Sequence, residues 1–207
     1  MIKVAKFGGS SVADAGQFRK VRDIVRSDPE RRFVVVSASG RRFPTDNKLT
    51  DLLLLVNAHI QYHVDCSSLL RDIEGRFVAL AGELGLKYPI SEKFEEFSAL
   101  VASLSPEYIV SRGEWFTAQL MAEYLGKPFL DAADVIVFHH DGTIDMERTQ
   151  TALRDAAQRL GGFVLPGFYG ATVDGTIKLF ERGGGDITGA ILARCLDANL
   201  YENWTDV

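Results

Sequence analysis

Short apolar runs alternate along this chain with longer stretches in which apolar residues recur every three or four positions. The runs at residues 2–7 (IKVAKF), 32–39 (RFVVVSAS), 128–138 (PFLDAADVIVF), 162–170 (GFVLPGFYG) and 200–207 (LYENWTDV) read as strands, with helical stretches between most of them. Such alternation predicts an α/β chain with a largely parallel sheet. The opening strand runs into Gly8 and Gly9; Ser11 to Asp14 then fits a capping box, and Phe18, Val21, Ile24 and Val25 follow at helical spacing.

The run RFVVVSAS is rich in β-branched residues and apolar on both faces, as in an interior parallel strand covered by helices on each side. Residues 40–48 (GRRFPTDNK) read as a loop, either a flap over a site or a plain surface connection, with Thr50 as the N-cap of the helix DLLLLVNAHIQ. Residues 62–122 are mainly helical. The Asp174-Gly175 pair between β-prone residues predicts a hairpin. After ERGGGD comes a helix with Ile187, Ile191, Leu192, Cys195 and Leu196 on one side and Asp186 where an N-cap sits. A glycine-rich turn thus twice precedes a helix.

At 207 residues and 46% hydrophobic composition the chain can bury a sizeable core, and with no internal repeat or flexible linker it reads as one domain over residues 1–207. A net charge of −5 gives no general attraction to nucleic acid or to an anionic membrane, so an anion here must be bound locally. No apolar run approaches the length of a membrane span and the start lacks a signal-peptide core. Two cysteines, Cys66 and Cys195, with no metal-binding spacing, fit a reducing cytoplasm.

The candidate chemistry lies at the glycine turns. A helix start preceded by glycines presents unpaired N–H groups and a positive dipole end, which suit a phosphate; a tight turn with no ligand is the alternative. Lys6 shares the face of Ile2 and Val4 at the carboxyl end of its strand, where open α/β sheets place ligand crevices, unless it only reaches round the sheet edge to solvent. In the second turn Arg182 offers a donor fork for a carboxylate, or a hairpin cap, and Asp186 offers a carboxylate. Glu114, in SRGE, opens the helix WFTAQLMAEYL and either binds a ligand or complements the helix dipole.

In order along the chain, KFGGSSV, SAS, LTDLL, SRGE, PGFYG, RGGGDITGA and WTDV resemble the aspartokinases, a branch of the amino-acid kinase family. The resemblance implies a three-layer α/β/α sandwich around a mainly parallel open sheet, with the C-terminal part and any regulatory ACT domain lying beyond residue 207. It implies transfer of the γ-phosphoryl group of ATP to the β-carboxylate of L-aspartate, the first step towards lysine, threonine and methionine. A kinase of a related amino acid and a non-catalytic nucleotide- or amino-acid-binding module are the alternatives.

By resemblance, Lys6 and Asp186 are catalytic, and Lys6, the amides of Gly8, Gly9 and Ser10, and Trp204, Thr205 and Asp206 bind ATP. Ser37, Thr50, Glu114, Phe168, Arg182, Gly183, Gly184 and Gly185 line the substrate site, Arg182 taking the α-carboxylate and Glu114 the α-ammonium group. Mg2+ is expected to be held mainly through phosphates, with no protein ligand assigned, and a cytoplasmic homodimer is expected. Gly185 stands where the family's usual RGGSD has serine. A lost hydrogen bond to a charged group costs roughly 1.5–3 kcal/mol, or about tenfold to a hundredfold in binding.

Overall fold

A computed structural model describes residues 1–181 and 183–205. The chain runs β1 (Lys3–Phe7), α1 (Ala15–Arg26), β2 (Phe33–Val36), α2 (Leu49–Gln61), α3 (Ser67–Leu84), α4 (Ile90–Leu100) and α5 (Pro106–Leu125). It continues through α6 (Ala132–Val135), β3 (Val137–Phe138), α7 (Met146–Leu160), β4 (Phe163–Pro166), β5 (Tyr169–Thr172), β6 (Ile177–Leu179), α8 (Gly184–Cys195) and β7 (Leu200–Trp204). Four strands form a parallel sheet in the order β4-β2-β1-β7, and β3-β5-β6 form a smaller mixed sheet closed by the hairpin at Asp174-Gly175.

Because successive strand residues face opposite sides, the parallel sheet feeds two cores. Ala5, Phe7, Val34 and Val36 pack with α1 to α5, whereas Val4, Phe33 and Val35 pack with α6, α7 and α8. Full burial of each Val or Phe contributes about 1.5–3 kcal/mol, which holds helices on both faces of the sheet as the three-layer expectation requires. Lys6 takes the Val4 side at the carboxyl end of β1, opposite Val35 and Asn203 in the neighbouring strands.

Local structure departs from the sequence reading at several points. The capping box is replaced by a 3-10 turn at Ser10–Val12, after which Asp14 caps α1 by accepting the Gln17 N–H at 2.9 Å. Helix α2 begins at Leu49 with Lys48 as its N-cap, so Thr50 lies inside the first turn. Ser105 caps α5, accepting the Tyr108 N–H at 3.2 Å with Pro106 behind it, which puts Glu114 two turns inside that helix, away from its dipole end. In α8 the N-cap is Gly183, Asp186 falls in the first turn, and Ile187 is exposed.

Two expected strands are interrupted. Within 128–138, Asp131 accepts the Ala133 N–H at 3.0 Å and caps the short helix α6, which splits the run into a single bridge of Phe129 to Val164 and the strand β3. The run 162–170 breaks at Phe168, whose φ of 79° turns the chain from the parallel sheet into the mixed one. The strained backbone is held by the Phe168 N–H donating to Thr188 Oγ1 at 3.1 Å and the Phe180 N–H donating to the Phe168 carbonyl at 2.8 Å.

Candidate active site

Lys6 is buried, and its ammonium reaches the N-terminal turn of α8, where Nζ lies 2.6 Å from Asp186 Oδ1. That approach depends on glycine. A Cβ on Gly185 would stand 2.9 Å from Ser37 Oγ and 3.4 Å from Lys6 Cε, and one on Gly184 would stand 2.7 Å from the Phe168 ring. The ends of β1, β2 and β4 therefore meet the start of α8 with only backbone between them, the crevice position of open α/β sheets. Asn203 Nδ2 donates to Asp186 Oδ1 at 3.2 Å and Tyr201 Oη to the Asp186 carbonyl at 3.2 Å, so β7 holds the acid against the lysine.

The first glycine turn lies on the other side of Lys6. Gly8 has its Cβ position 3.6 Å from Lys6 Nζ, and its N–H donates to the Trp204 carbonyl at 3.0 Å. The Gly8 amide thus ties β7 to the turn instead of facing a phosphate, contrary to the sequence reading. Gly9 is packed against the Ala38 carbonyl and Gly40, which locks the turn to the segment after β2. Trp204 stacks on Phe7 with centroids 6.3 Å apart, and Thr205 lies beside Gly8. Ser10 lies on the adjoining cleft.

That cleft, of about 410 Å3, is lined by Gly9, Ser10, residues 37–41, Lys48, Thr50 and Glu114. Ser37, Thr50 and Glu114, from three distant segments, share it. Glu114 is 5% exposed and its Oε2 has no partner among the described residues. Burial pushes its carboxyl up to about 8, against the opposing pull of the Ala38 N–H, its own N–H and Arg112. An acid so placed is poised for a cationic partner. Phe168 packs on Gly184 and Phe180, and does not line the cleft itself. Arg182 and Asp206 lie outside the described residues.

Other contributors have no sequence signal. Thr117 accepts the Ser39 N–H at 3.1 Å and donates to the Gly113 carbonyl at 2.8 Å, joining the cleft segment to α5 beside Glu114. Asp131 accepts from Trp115 Nε1 at 2.8 Å and Tyr169 Oη at 2.6 Å, fixing α5 to β5. Nothing in the local pattern marks Thr117, Asp131 or Asn203, because each acts through a residue far away in the chain.

The family model described as the amino acid kinase family matches residues 1–207. The chain is 38% identical over 222 aligned residues to aspartokinase 3 of Bacillus subtilis, covering 100% of this chain and 49% of that protein. Its fold superposes on a crystal structure of Clostridium acetobutylicum aspartate kinase with a TM-score of 0.95 at 39% identity, covering 100% of this chain and 48% of the other. A structure of E. coli aspartokinase III in complex with aspartate and ADP matches with a TM-score of 0.82 at 28% identity, covering 100% and 49%. The chain spans about half the length of these relatives.

Proposed function

Since this chain belongs to the amino acid kinase family, we propose that residues 1–207 form the catalytic domain, in part, of an aspartate kinase that moves the γ-phosphoryl group of ATP to the β-carboxylate of L-aspartate. The observation that carries this reading is the buried Lys6 at the glycine turn of α8, next to a cleft with a buried carboxyl at its wall. Lys6, Gly9 and Ser10 face the β- and γ-phosphates, Gly8 leaves room beside the ammonium, and Trp204, Thr205 and Asp206 border the nucleotide. Glu114 takes the α-ammonium group, Ser37 and Thr50 offer hydroxyls, Arg182 takes the α-carboxylate, and Phe168 with Gly183, Gly184 and Gly185 shapes the wall.

Phosphoryl transfer to a carboxylate asks for positioning and charge stabilisation more than for a base, because the nucleophile is already ionised at neutral pH. Asp186 holds the Lys6 ammonium at the sheet edge until phosphate displaces or shares that contact. Magnesium is expected to be held mainly through the phosphates, with no protein ligand assigned. A magnesium ion carried on the phosphates would offset their charge.

The same reading assigns the protein to lysine, threonine and methionine synthesis in the cytoplasm, as a homodimer. No helix among the described residues is long and apolar enough to cross a membrane. Hydroxamate trapping of the acyl phosphate from a panel of amino acids, with the full-length protein, tests the assignment. Product with aspartate, abolished by Lys6→Ala, is expected; product with glutamate alone overturns it.

A further inference from the structure

Residues 40–48 carry three basic side chains and one acidic one, and none of the roles above uses them. Their fold is organised by Asp46, which is 7% exposed. Asp46 Oδ2 accepts the Arg42 N–H at 3.1 Å and Arg42 Nε at 2.8 Å, while Oδ1 accepts Arg42 Nη2 at 3.0 Å and Arg76 Nη2, from α3, at 2.7 Å. Arg76 Nη1 also donates to the Asn47 carbonyl at 2.8 Å. Hydrogen bonds from Arg42 above all, and the Arg76 charge, hold the Asp46 carboxyl far below the usual carboxylate range despite its burial. Arg42 and Arg76 are thereby committed to pinning the loop onto α3.

Arg41 and Lys48 are not. Both are exposed, both line the 410 Å3 cleft that Glu114 also lines, and neither has an ion-pair partner among the described residues. Lys48 also precedes the uncapped first turn of α2, whose dipole end adds positive potential at the same rim. Lys6, by contrast, already shares its charge with Asp186. Transfer to a carboxylate drives two anions together, and cations preset at that point stabilise the charge as it develops.

We propose that Arg41 and Lys48 form an oxyanion clamp at the mouth of the cleft, held in place through the Asp46–Arg76 ion pair, that engages a carboxylate of the acceptor or the terminal phosphate of the nucleotide. The clamp deepens the kinase reading and rests on it for its role in turnover. Asp46 and Arg76 are positioning residues, because they act through the loop.

The test uses the full-length protein carrying Arg41→Ala with Lys48→Ala; both side chains are exposed, so melting temperature should stay at the wild-type value. A rise of about tenfold or more in KM is expected, as for loss of charge-assisted contacts. A rise for aspartate identifies the acceptor carboxylate as the bound group, and a rise for ATP identifies the phosphate. Unchanged KM for both substrates with unchanged kcat overturns the clamp. Arg76→Gln should raise the same KM and Arg76→Lys should restore much of it; no change with Arg76→Gln overturns the anchoring. Calorimetric binding of tripolyphosphate and of succinate needs no turnover. Anion binding lost in the double variant of a protein that phosphorylates no amino acid refutes the kinase reading and keeps the clamp, whereas normal turnover with unaltered anion binding does the reverse.

Discussion

Glu114 is the residue whose environment most constrains its chemistry. Its carboxyl is raised from the ordinary value to about 8 by burial, so the native state keeps a proton that the unfolded chain gives up near pH 4.5. This contribution to stability is complete below about pH 4.5 and is lost as pH rises through about 8. Glu114→Gln, which cannot ionise, should therefore melt at nearly the wild-type temperature at pH 4.5 and above it at pH 8, as scanning calorimetry at the two values would show. The same variant should lose aspartate binding by tenfold or more if Glu114 receives the α-ammonium group, because the arriving cation favours ionisation of the buried carboxyl whereas an amide cannot ionise. Gly185→Ser tests the other wall. Its Cβ would press on Ser37 Oγ at 2.9 Å, the free end of a side chain able to rotate, so the variant should fold and shift KM for aspartate rather than collapse. Gly184→Ala is different: Phe168 and Phe180 carbon atoms stand 2.7 and 2.8 Å from the new methyl, and a loss of about 1–3 kcal/mol by urea unfolding is expected from overpacking.

At the scale of elements, the site depends on β7 as much as on the glycine turns. Strand β7 lies beside β1, receives the Gly8 N–H through Trp204, and holds Asp186 through Asn203. It is secured from below by Arg31, whose Nε and Nη2 reach Glu202 at 2.6 and 3.2 Å, with Arg31 Nη1 on the Ile24 carbonyl and Trp204 Nε1 on Glu202. Burial pushes the Glu202 carboxyl up, but hydrogen bonds from Arg31 and Trp204 outweigh it and hold the group below its ordinary value. Its stabilising effect is present above the unfolded carboxylate pKa and disappears as pH falls through the lower, folded value. Glu202→Gln should cost about 1–3 kcal/mol at pH 7, since it leaves a largely buried guanidinium with weaker acceptors, and the difference from wild type should narrow in acid. Equal chemical denaturation of the two proteins at pH 7 would show that this pair does not brace β7.

Across the whole molecule, the local pattern already implied most of the architecture. Residues 33–36 are β-branched or aromatic and buried on both sides, so their run announces an interior strand, and the 3.6-residue spacing of Phe18, Val21 and Val25 announces a helix that shares its core. Lys6 after an apolar run, with glycines behind it, reads from sequence alone as a residue at a ligand edge; the fold sets its ammonium against Asp186. Where the reading failed, a single side chain or backbone angle overrode the pattern: Asp131 capping a helix inside an apolar run, Phe168 at positive φ splitting a strand, and Ser105 starting α5 two turns before Glu114. By itself, then, the sequence determined the succession of strands and helices, the two glycine turns and the lysine between them, because those follow from side-chain periodicity and short-range backbone freedom. Only the tertiary structure decided that Glu114 is buried with an unpaired oxygen, that the Gly8 amide serves β7, and that Asp46 pairs with Arg42 and Arg76 to pin the loop carrying Arg41 and Lys48 onto α3. Burial, pairing and charge balance are set by residues tens or hundreds of positions apart, and no local pattern carries them.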